Sequence, residues 1–227
     1  MSRAKALAWA VHLYTMSGGV VGLFALYAAA QGQIRQAFLL LVLAALIDGT
    51  DGILARRARV HASLPHFDGA MVDNVIDFLT YVWIPVFIIG SQNLLPHIAW
   101  TVFPTLAALY AYGQTNMKTD DGFFIGFPSL WNGVALYLWW LKPADWLALL
   151  LVLVPSALSF VPTRYLYPSK GMTFWRVGLY GGAAWGLLLF LLLLQEQPAS
   201  ELILLSAIYP VWYLAASFYT EFRLRRA

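Results

Sequence analysis

Four carboxylates in an otherwise apolar part of the chain have spacings that bring them together in pairs. Asp48 and Asp51 are three residues apart, and Asp73 and Asp77 are four residues apart. Residues at these separations are neighbours on one face of an α-helix. Ionisable side chains are costly inside a membrane helix, so we expect them to be functional. Oxygen ligands without cysteine favour a hard divalent cation, Mg²⁺ or Mn²⁺, over zinc.

A cluster of this kind suits phosphoryl chemistry, in which two metal ions hold the attacking and leaving oxygens together. We therefore predict a site with two divalent ions. The predicted metal ligands are Asp48, Asp51, Asp73 and Asp77. A purely structural alternative, in which one carboxylate pairs with Arg56 or Arg57, does not account for four carboxylates at paired spacings.

Small residues accompany the acidic pairs. Gly52 and Ala55 follow the first pair, and Gly69 comes shortly before the second. Small side chains allow a bulky ligand or another backbone to approach closely. Arg56 follows at once, and its planar guanidinium is suited to bidentate contact with a phosphate. The segment thus combines candidate metal ligands with candidate phosphate contacts.

The composition identifies the elements that must position these residues as membrane helices. Of the 227 residues, 61% are hydrophobic and 11% are charged, and the mean hydropathy is +0.69. Soluble domains carry about a quarter charged residues. This excludes an ordinary globular domain, a disordered tail and a nucleic-acid-binding module. The absence of cysteine also excludes disulfide scaffolds and thiolate sites.

Crossing a bilayer takes a helix of about 20 mostly apolar residues. The chain offers eight such segments, although the short fifth and sixth leave six or seven possible. The predicted spans are Leu7–Ala30, Gln36–Ala55, Ala70–Gly90, His97–Thr115, Phe127–Leu141, Trp146–Val161, Thr173–Leu194 and Glu201–Phe222. We predict an all-α integral membrane protein, a polytopic helical bundle that forms a single domain over residues 1–227.

The basic residues orient these spans. With eight spans, all fourteen Lys and Arg residues except Arg35 and Lys142 fall on one side. Such a bias marks the cytoplasmic side. Both termini are therefore predicted to be cytoplasmic, with the first span uncleaved. The second span ends and the third begins on this side, so the four carboxylates are expected at the cytoplasmic boundary of the membrane.

The order of these residues resembles the signature of the CDP-alcohol phosphotransferase family. The matching pattern is Asp48-x-x-Asp51-Gly52-x-x-Ala55-Arg56, followed by Gly69-x-x-x-Asp73-x-x-x-Asp77. One departure is the gap between the two halves, in which residues 57–68 make twelve where eight are usual. Two sequence segments that are less specific than this motif, around residues 64–69 and 117–132, resemble the bacterial phosphatidylcholine synthase branch of the family.

The resemblance implies a reaction and a location. Enzymes of that branch join CDP-diacylglycerol and choline to give phosphatidylcholine and CMP, with a divalent metal, at the cytoplasmic face of the bacterial inner membrane. It implies that Asp77 completes the metal site and acts as general base. The CDP-binding residues that it implies are Asp48, Gly52, Ala55, Arg56, Gly69, Asp73, Thr15 and His12. Many members of the family resemble homodimers, so a homodimer is expected.

Choline carries a quaternary ammonium group, which donates no hydrogen bond and is typically held by aromatic faces. Aromatic and polar residues near the expected cytoplasmic ends of the fourth and fifth spans are candidates for this contact. They are Tyr112, Phe124, Trp131, Asp120 and Asn116.

Two alternatives stay open at this point. The acceptor of the same chemistry could be serine, glycerol 3-phosphate or an inositol phosphate. In a different class of protein, the carboxylates would form the cation site of a cation or choline transporter. Transport sites lie near the middle of the bilayer, often between structural repeats. The carboxylates here cluster at one end of two consecutive spans, which favours an enzyme.

Overall fold

The computed structural model describes residues 2–119, 121–167 and 174–226 of the chain. The helices are α1 (Arg3–Ala30), α2 (Ile34–Ala58), α3 (Val60–Ser63), α4 (Gly69–Ser91), α5 (Ile98–Gly113), α6 (Trp131–Leu141), α7 (Asp145–Ser159), α8 (Trp175–Leu194), α9 (Ser200–Ser206) and α10 (Ile208–Leu224). The strands are β1 (Phe123–Ile125) and β2 (Arg164–Leu166).

Each of the eight apolar segments predicted from the sequence overlaps a helix. In the described part of the chain, five helical segments are long and apolar enough to cross a membrane. They are Arg3–Ala30, Ile34–Ala58, Gly69–Ser91, Trp175–Leu193 and Ser200–Leu224. Two further apolar helices, Ile98–Gly113 and Asp145–Ser159, are shorter. The chain is therefore a helical membrane protein, while the count of eight spans and the side of the termini stay predictions.

A short antiparallel sheet corrects the expectation of an all-helical chain. Strand β1 pairs with β2 in a register that sets Phe123 opposite Leu166. The predicted span from residue 127 begins as a helix only at Trp131. Gly122 and Gly126, with φ of 87° and 79°, flank β1 in the left-handed region that glycine adopts readily. Gly122 precedes the aromatic strand, and Gly126 lies between the strand and the helix that follows.

The structure contains two compact units, Met1–Ile88 and Ile89–Ala227. In the first unit, α1 packs along α2 and against the beginning of α4. Glycine makes this approach possible, because a Cβ on Gly22 would lie 3.0 Å from Leu79 Cδ2 and 3.1 Å from Thr80 Cγ2. The close packing places the first part of α4 beside the helix pair, where it can meet the acidic end of α2.

Helix α4 contains a π-helical segment, Phe78–Trp83, between two α-helical parts. Pro85 follows it and has no N–H to donate to the carbonyl of Tyr81, four residues earlier. The wider π turn accommodates this missing hydrogen bond. Such π segments are frequent at functional sites, and this one begins directly after Asp77.

In the second unit, α10 hydrogen-bonds to the backbone of β2 through three of its side chains. The Tyr213 hydroxyl donates to the Leu166 carbonyl at 2.9 Å. The Leu166 N–H donates to Ser217 Oγ at 3.2 Å, and the Arg164 N–H donates to Glu221 Oε2 at 3.4 Å. The sheet is thereby attached to the last helix along one edge.

Candidate active site

Carboxylates from two helices meet in the first unit. Asp48 of α2 and Asp73 and Asp77 of α4 each offer one oxygen, and these three oxygens lie within 4.8 Å of one another. Asp77 is buried, with 8% of its surface exposed. Three carboxylates so close repel one another unless a cation or protons compensate their charge. This all-oxygen set, which we call the acidic trio, fits a Mg²⁺ or Mn²⁺ ion.

Asp51, the fourth predicted ligand, lies beside the acidic trio without belonging to it. Asp51 is 6% exposed, and its carboxylate interacts with the Thr15 hydroxyl, the Gly52 N–H and Asp73. The structure thus brings three of the four predicted carboxylates together, and the role of all four as metal ligands stays a prediction. Its contacts place it next to the trio, on the side of a neighbouring cavity.

Tyr81 is a member of this site that the sequence analysis missed. Its hydroxyl donates a hydrogen bond to Asp48 Oδ2 at 2.8 Å. Tyr81 lies in the π-helical segment and follows Asp73 and Asp77 at intervals of four residues. That spacing was the available signal, because it places the three side chains in one row along α4.

A cavity of about 520 Å³ adjoins the acidic residues. This volume is within the range of small-molecule sites, about 300–1,000 Å³. Seven of the eight residues predicted to bind CDP line it, all except Asp48. They are His12, Thr15, Gly52, Ala55, Arg56, Gly69 and Asp73, and Asp51 lines it as well. The structure therefore brings the predicted nucleotide-binding residues together around one space.

The long gap between the two halves of the motif contributes a wall of this cavity. Helix α2 ends at Ala58, Arg59 turns the chain with φ of 48°, and the short α3 follows. Asp68 ends the gap as N-cap of α4, accepting a hydrogen bond from the Met71 N–H at 2.9 Å. The lining residues from the gap are Val60, His61, Pro65, His66, Phe67 and Asp68. The sequence analysis did not assign them to the site.

Gly52 has a specific role in positioning Arg56. A Cβ added to Gly52 would lie 3.3 Å from Arg56 Nη1. The guanidinium therefore lies over Gly52, close to the helix, and both residues line the cavity. A larger residue at position 52 would push against this side chain. The positively charged guanidinium of Arg56 therefore lies at a cavity whose wall also carries acidic side chains.

Two of the residues predicted to contact choline lie near the end of α5 in the second unit. Tyr112 is partly buried in the last turn of that helix, and Asn116 is exposed in the turn that follows. Asp120 lies outside the described residues. Their role in binding choline stays a prediction.

The other two predicted choline contacts have aromatic neighbours of their own. Phe124 on β1 stacks on Tyr167, with ring centroids 4.7 Å apart. Trp131 is fully buried and lies 5.6 Å from Phe127, which in turn contacts Tyr165 at 6.3 Å. Burial raises the pKa of Tyr165 to about 12, so this ring is neutral at physiological pH. Aromatic surface is thus present around both predicted residues.

Comparison with known proteins extends these observations. A family model described as CDP-alcohol phosphatidyltransferase matches residues 9–158. A phosphatidylcholine synthase of Pseudomonas aeruginosa is 38% identical over 226 residues, which cover 98% of this chain and 93% of that protein. A phosphatidylcholine synthase of Legionella pneumophila is 34% identical, with 95% and 89% covered. One from Borreliella burgdorferi is 34% identical, with 72% and 71% covered.

The family match includes both halves of the acidic motif and all eight residues predicted to bind CDP. The similarity to the first two relatives extends over nearly the whole chain, including the second unit. Fold, site and similarity agree: the chain belongs to the CDP-alcohol phosphatidyltransferase family.

Proposed function

We propose that the chain transfers the phosphatidyl group of CDP-diacylglycerol to choline, giving phosphatidylcholine and CMP. The names of its relatives support choline as the acceptor, since similarity to two phosphatidylcholine synthases extends over at least 95% of the chain. The observation that carries the proposal is the acidic trio, whose three oxygens lie within 4.8 Å of one another. Asp73 belongs both to the trio and to the cavity wall.

Asp48, Asp73 and Asp77 would hold a Mg²⁺ or Mn²⁺ ion, and Asp51 would complete the ligand set for two such ions. When bound, such ions neutralise diphosphate charge and favour departure of the leaving group. The four carboxylates that would bind the ions lie near one another because two of them belong to α2 and the other two belong to α4. Tyr81 fixes the orientation of Asp48 through its hydrogen bond.

The chain's own residues bind the diphosphate and move the proton. Arg56 contacts the diphosphate from the cavity wall, where Gly52 leaves room for its guanidinium. Asp77 accepts the proton of the choline hydroxyl. The choline oxygen then forms its bond to the phosphorus that carries diacylglycerol, and the bond from that phosphorus to the CMP oxygen breaks. The negative charge that develops on the choline oxygen when Asp77 takes its proton ends on the phosphate oxygen of CMP, the leaving group.

We further propose that this reaction takes place at the cytoplasmic face of the bacterial inner membrane. CDP-diacylglycerol keeps its acyl chains in the bilayer, while choline arrives from water. The acidic end of α2 and the beginning of α4 carry the trio, and three arginines, Arg56, Arg57 and Arg59, lie at this end of α2, which favours the cytoplasmic side. A homodimer is part of the proposal, on the resemblance to family members alone.

The direct test is release of CMP by the purified protein in detergent micelles containing CDP-diacylglycerol. We expect release that depends on added choline and exceeds release with serine, glycerol 3-phosphate or inositol phosphate at least tenfold. A preference for one of the other alcohols would keep the family chemistry and replace the acceptor. Uptake of choline into vesicles without CMP release would contradict the proposal and support a transporter.

Two controls address the mechanism within the same assay. Exhaustive EDTA treatment should abolish CMP release, and Mg²⁺ or Mn²⁺ should restore it, because the trio needs a cation to offset its charge. Asp77→Asn should retain stabilisation of the protein by CDP and lose CMP release. Full activity after EDTA would remove the metal from the proposal. Near-normal turnover of the Asn variant would remove Asp77 as the base.

A further inference from the structure

The imidazole of His12 is held tightly on the wall of the cavity. It is 5% exposed, lies 4.5 Å from the ring of Phe67 between centroids, and contacts Trp9 in an edge arrangement at 6.0 Å. Its Nε2 atom is buried and has no hydrogen-bond partner among the described residues. A buried polar atom without a partner is costly. Since His12 lines the cavity, a ligand there is the available partner.

Besides Trp9 and Phe67, Gly69 also lies directly against the imidazole of His12. A Cβ added to Gly69 would lie 2.5 Å from His12 Cε1 and 3.0 Å from His12 Nδ1. Side chains do not approach each other so closely, so any other residue at position 69 would displace the ring. The backbone of Gly69 itself does not require glycine, because the residue has no positive φ and begins a helix with Asp68 as its N-cap.

We propose that Gly69 is a positioning residue that acts through His12. Because Gly69 has no Cβ, the imidazole can pack closely against α4. In this fixed position, Nε2 of His12 forms a hydrogen bond with the nucleotide part of CDP-diacylglycerol. This inference rests on the proposed function. It assigns the requirement for glycine at this position of the motif to a side chain of the protein rather than to direct contact with the substrate.

The long gap in the motif belongs to the same arrangement. Phe67 lies near the end of residues 57–68, and its ring contacts both His12, at 4.5 Å, and Trp9, at 5.1 Å between centroids. A gap that carried no aromatic residue there would leave the ring braced only by Gly69 and Trp9. We infer that His12 and the twelve-residue gap are matched, the loop supplying the ring that holds the imidazole.

The test is a double-mutant cycle on Gly69→Ala and His12→Asn, with the KM for CDP-diacylglycerol as readout at saturating choline and metal. Gly69→Ala alone should raise this KM about tenfold or more and change kcat less. His12→Asn, which removes the bulky ring and keeps a donor, should raise it about threefold, the order expected for one weakened hydrogen bond. The double variant should match His12→Asn, because the added Cβ no longer meets a ring.

Gly19→Ala is the matched control, because its Cβ would meet Ile76 Cγ1 at 3.4 Å, an ordinary contact between the same two helices. It should leave the KM unchanged. If the KM of the double variant is raised by the product of the two single increases, the proposal is wrong and Gly69 contacts the substrate directly. Failure of Gly69→Ala alone to fold, with recovery in the double variant, would support the proposed contact.

If both Gly69→Ala proteins fail to fold, Phe67→Ala decides with Gly69 intact. It should raise the KM severalfold in the His12 protein and have less effect in the His12→Asn protein; equal effects in both would overturn the proposal. Stabilisation by CDP, measured as the shift in melting temperature, separates the two levels of inference. A wild-type protein that CDP stabilises but that releases no CMP with any alcohol would contradict the proposed function. The coupling of Gly69 and His12 would still be read from the CDP shifts.

Discussion

Asp48 contacts both the other carboxylates of the acidic trio and Tyr81, a residue outside the motif. A change at Tyr81 should therefore affect metal binding by Asp48. Its carboxylate belongs to the acidic trio and accepts the 2.8 Å hydrogen bond of Tyr81. Hydrogen bonds to metal-binding carboxylates fix their orientation, and losing one typically costs about 10- to 100-fold in metal affinity or activity. Tyr81 therefore tunes the metal site without needing to contact the metal.

Tyr81→Phe should raise the Mg²⁺ or Mn²⁺ concentration that gives half-maximal CMP release by about tenfold. The rate at saturating metal should stay close to that of the wild type, because the three carboxylates remain. A metal titration of CMP release measures both quantities. Tyr14→Phe is the matched control, since it removes a 2.7 Å hydrogen bond between a tyrosine and α2, that of Tyr14 with Thr50, in which no carboxylate of the trio takes part. Equal responses of the two variants would show that Tyr81 has no special role.

Sequence reasoning located the carboxylates and the small residues because their spacing is local. The four-residue separation determines a helix face directly and predicted that Asp73 and Asp77, two members of the trio, lie side by side. The seven predicted residues that line the cavity were implied by the resemblance to the family. The contribution of Phe67 could not be predicted in this way. Its contact with His12 depends on how a twelve-residue loop folds back on a helix more than fifty residues earlier in the chain, and no periodicity encodes that distance.

At the scale of elements, α10 takes the place of a third strand beside β2. Tyr213, Ser217 and Glu221 follow one another at four-residue intervals, so they form one row on the helix. Their side chains satisfy backbone groups of β2 that a two-stranded sheet would leave unpaired. All three are buried. The row is visible in the sequence, but its partner strand lies about fifty residues away and is not.

Ser217→Ala should lower the melting temperature of the protein in detergent by several degrees. It leaves the Leu166 N–H buried without a partner, which costs about 1–3 kcal/mol. Thr220→Val is the matched control on the same helix, because the Thr220 hydroxyl donates only to the carbonyl of Ala216 within α10. The control should cost clearly less. Equal losses would mean that the helix, and not its bond to β2, limits stability.

At the scale of the whole molecule, the long apolar helices were predictable and the short ones were only partly so. Helix α1 begins four residues before its predicted span and ends with it at Ala30, and helix α2 extends two residues before and three residues beyond its predicted span. The predicted fifth span loses its first turn because residues 127–130, which follow strand β1 and Gly126, form no helix. Pro128 disfavours a helical backbone at the residue before it, and Ser129 has a left-handed φ of 53°; hydropathy registers neither effect.

Orientation is the property of the whole molecule on which the proposed site depends most. Helix α2 has 25 residues, enough at about 1.5 Å per residue to cross the hydrocarbon core. Its first end follows Gln31, and its second end precedes Ala62 in α3. The basic residues Arg56, Arg57 and Arg59 at the second end predict that this end is cytoplasmic. The acidic trio lies towards the same end.

The chain contains no cysteine, so single cysteines can report this orientation without a background. Ala62→Cys and Gln31→Cys introduce thiols at exposed positions on either side of α2. A membrane-impermeant maleimide should label Ala62→Cys in inverted inner-membrane vesicles and Gln31→Cys in intact spheroplasts, with both labelled after permeabilisation. Labelling of Ala62→Cys from outside the spheroplasts would place the trio on the periplasmic side. Cytoplasmic choline could then not reach it, and the proposed location of the reaction would be wrong.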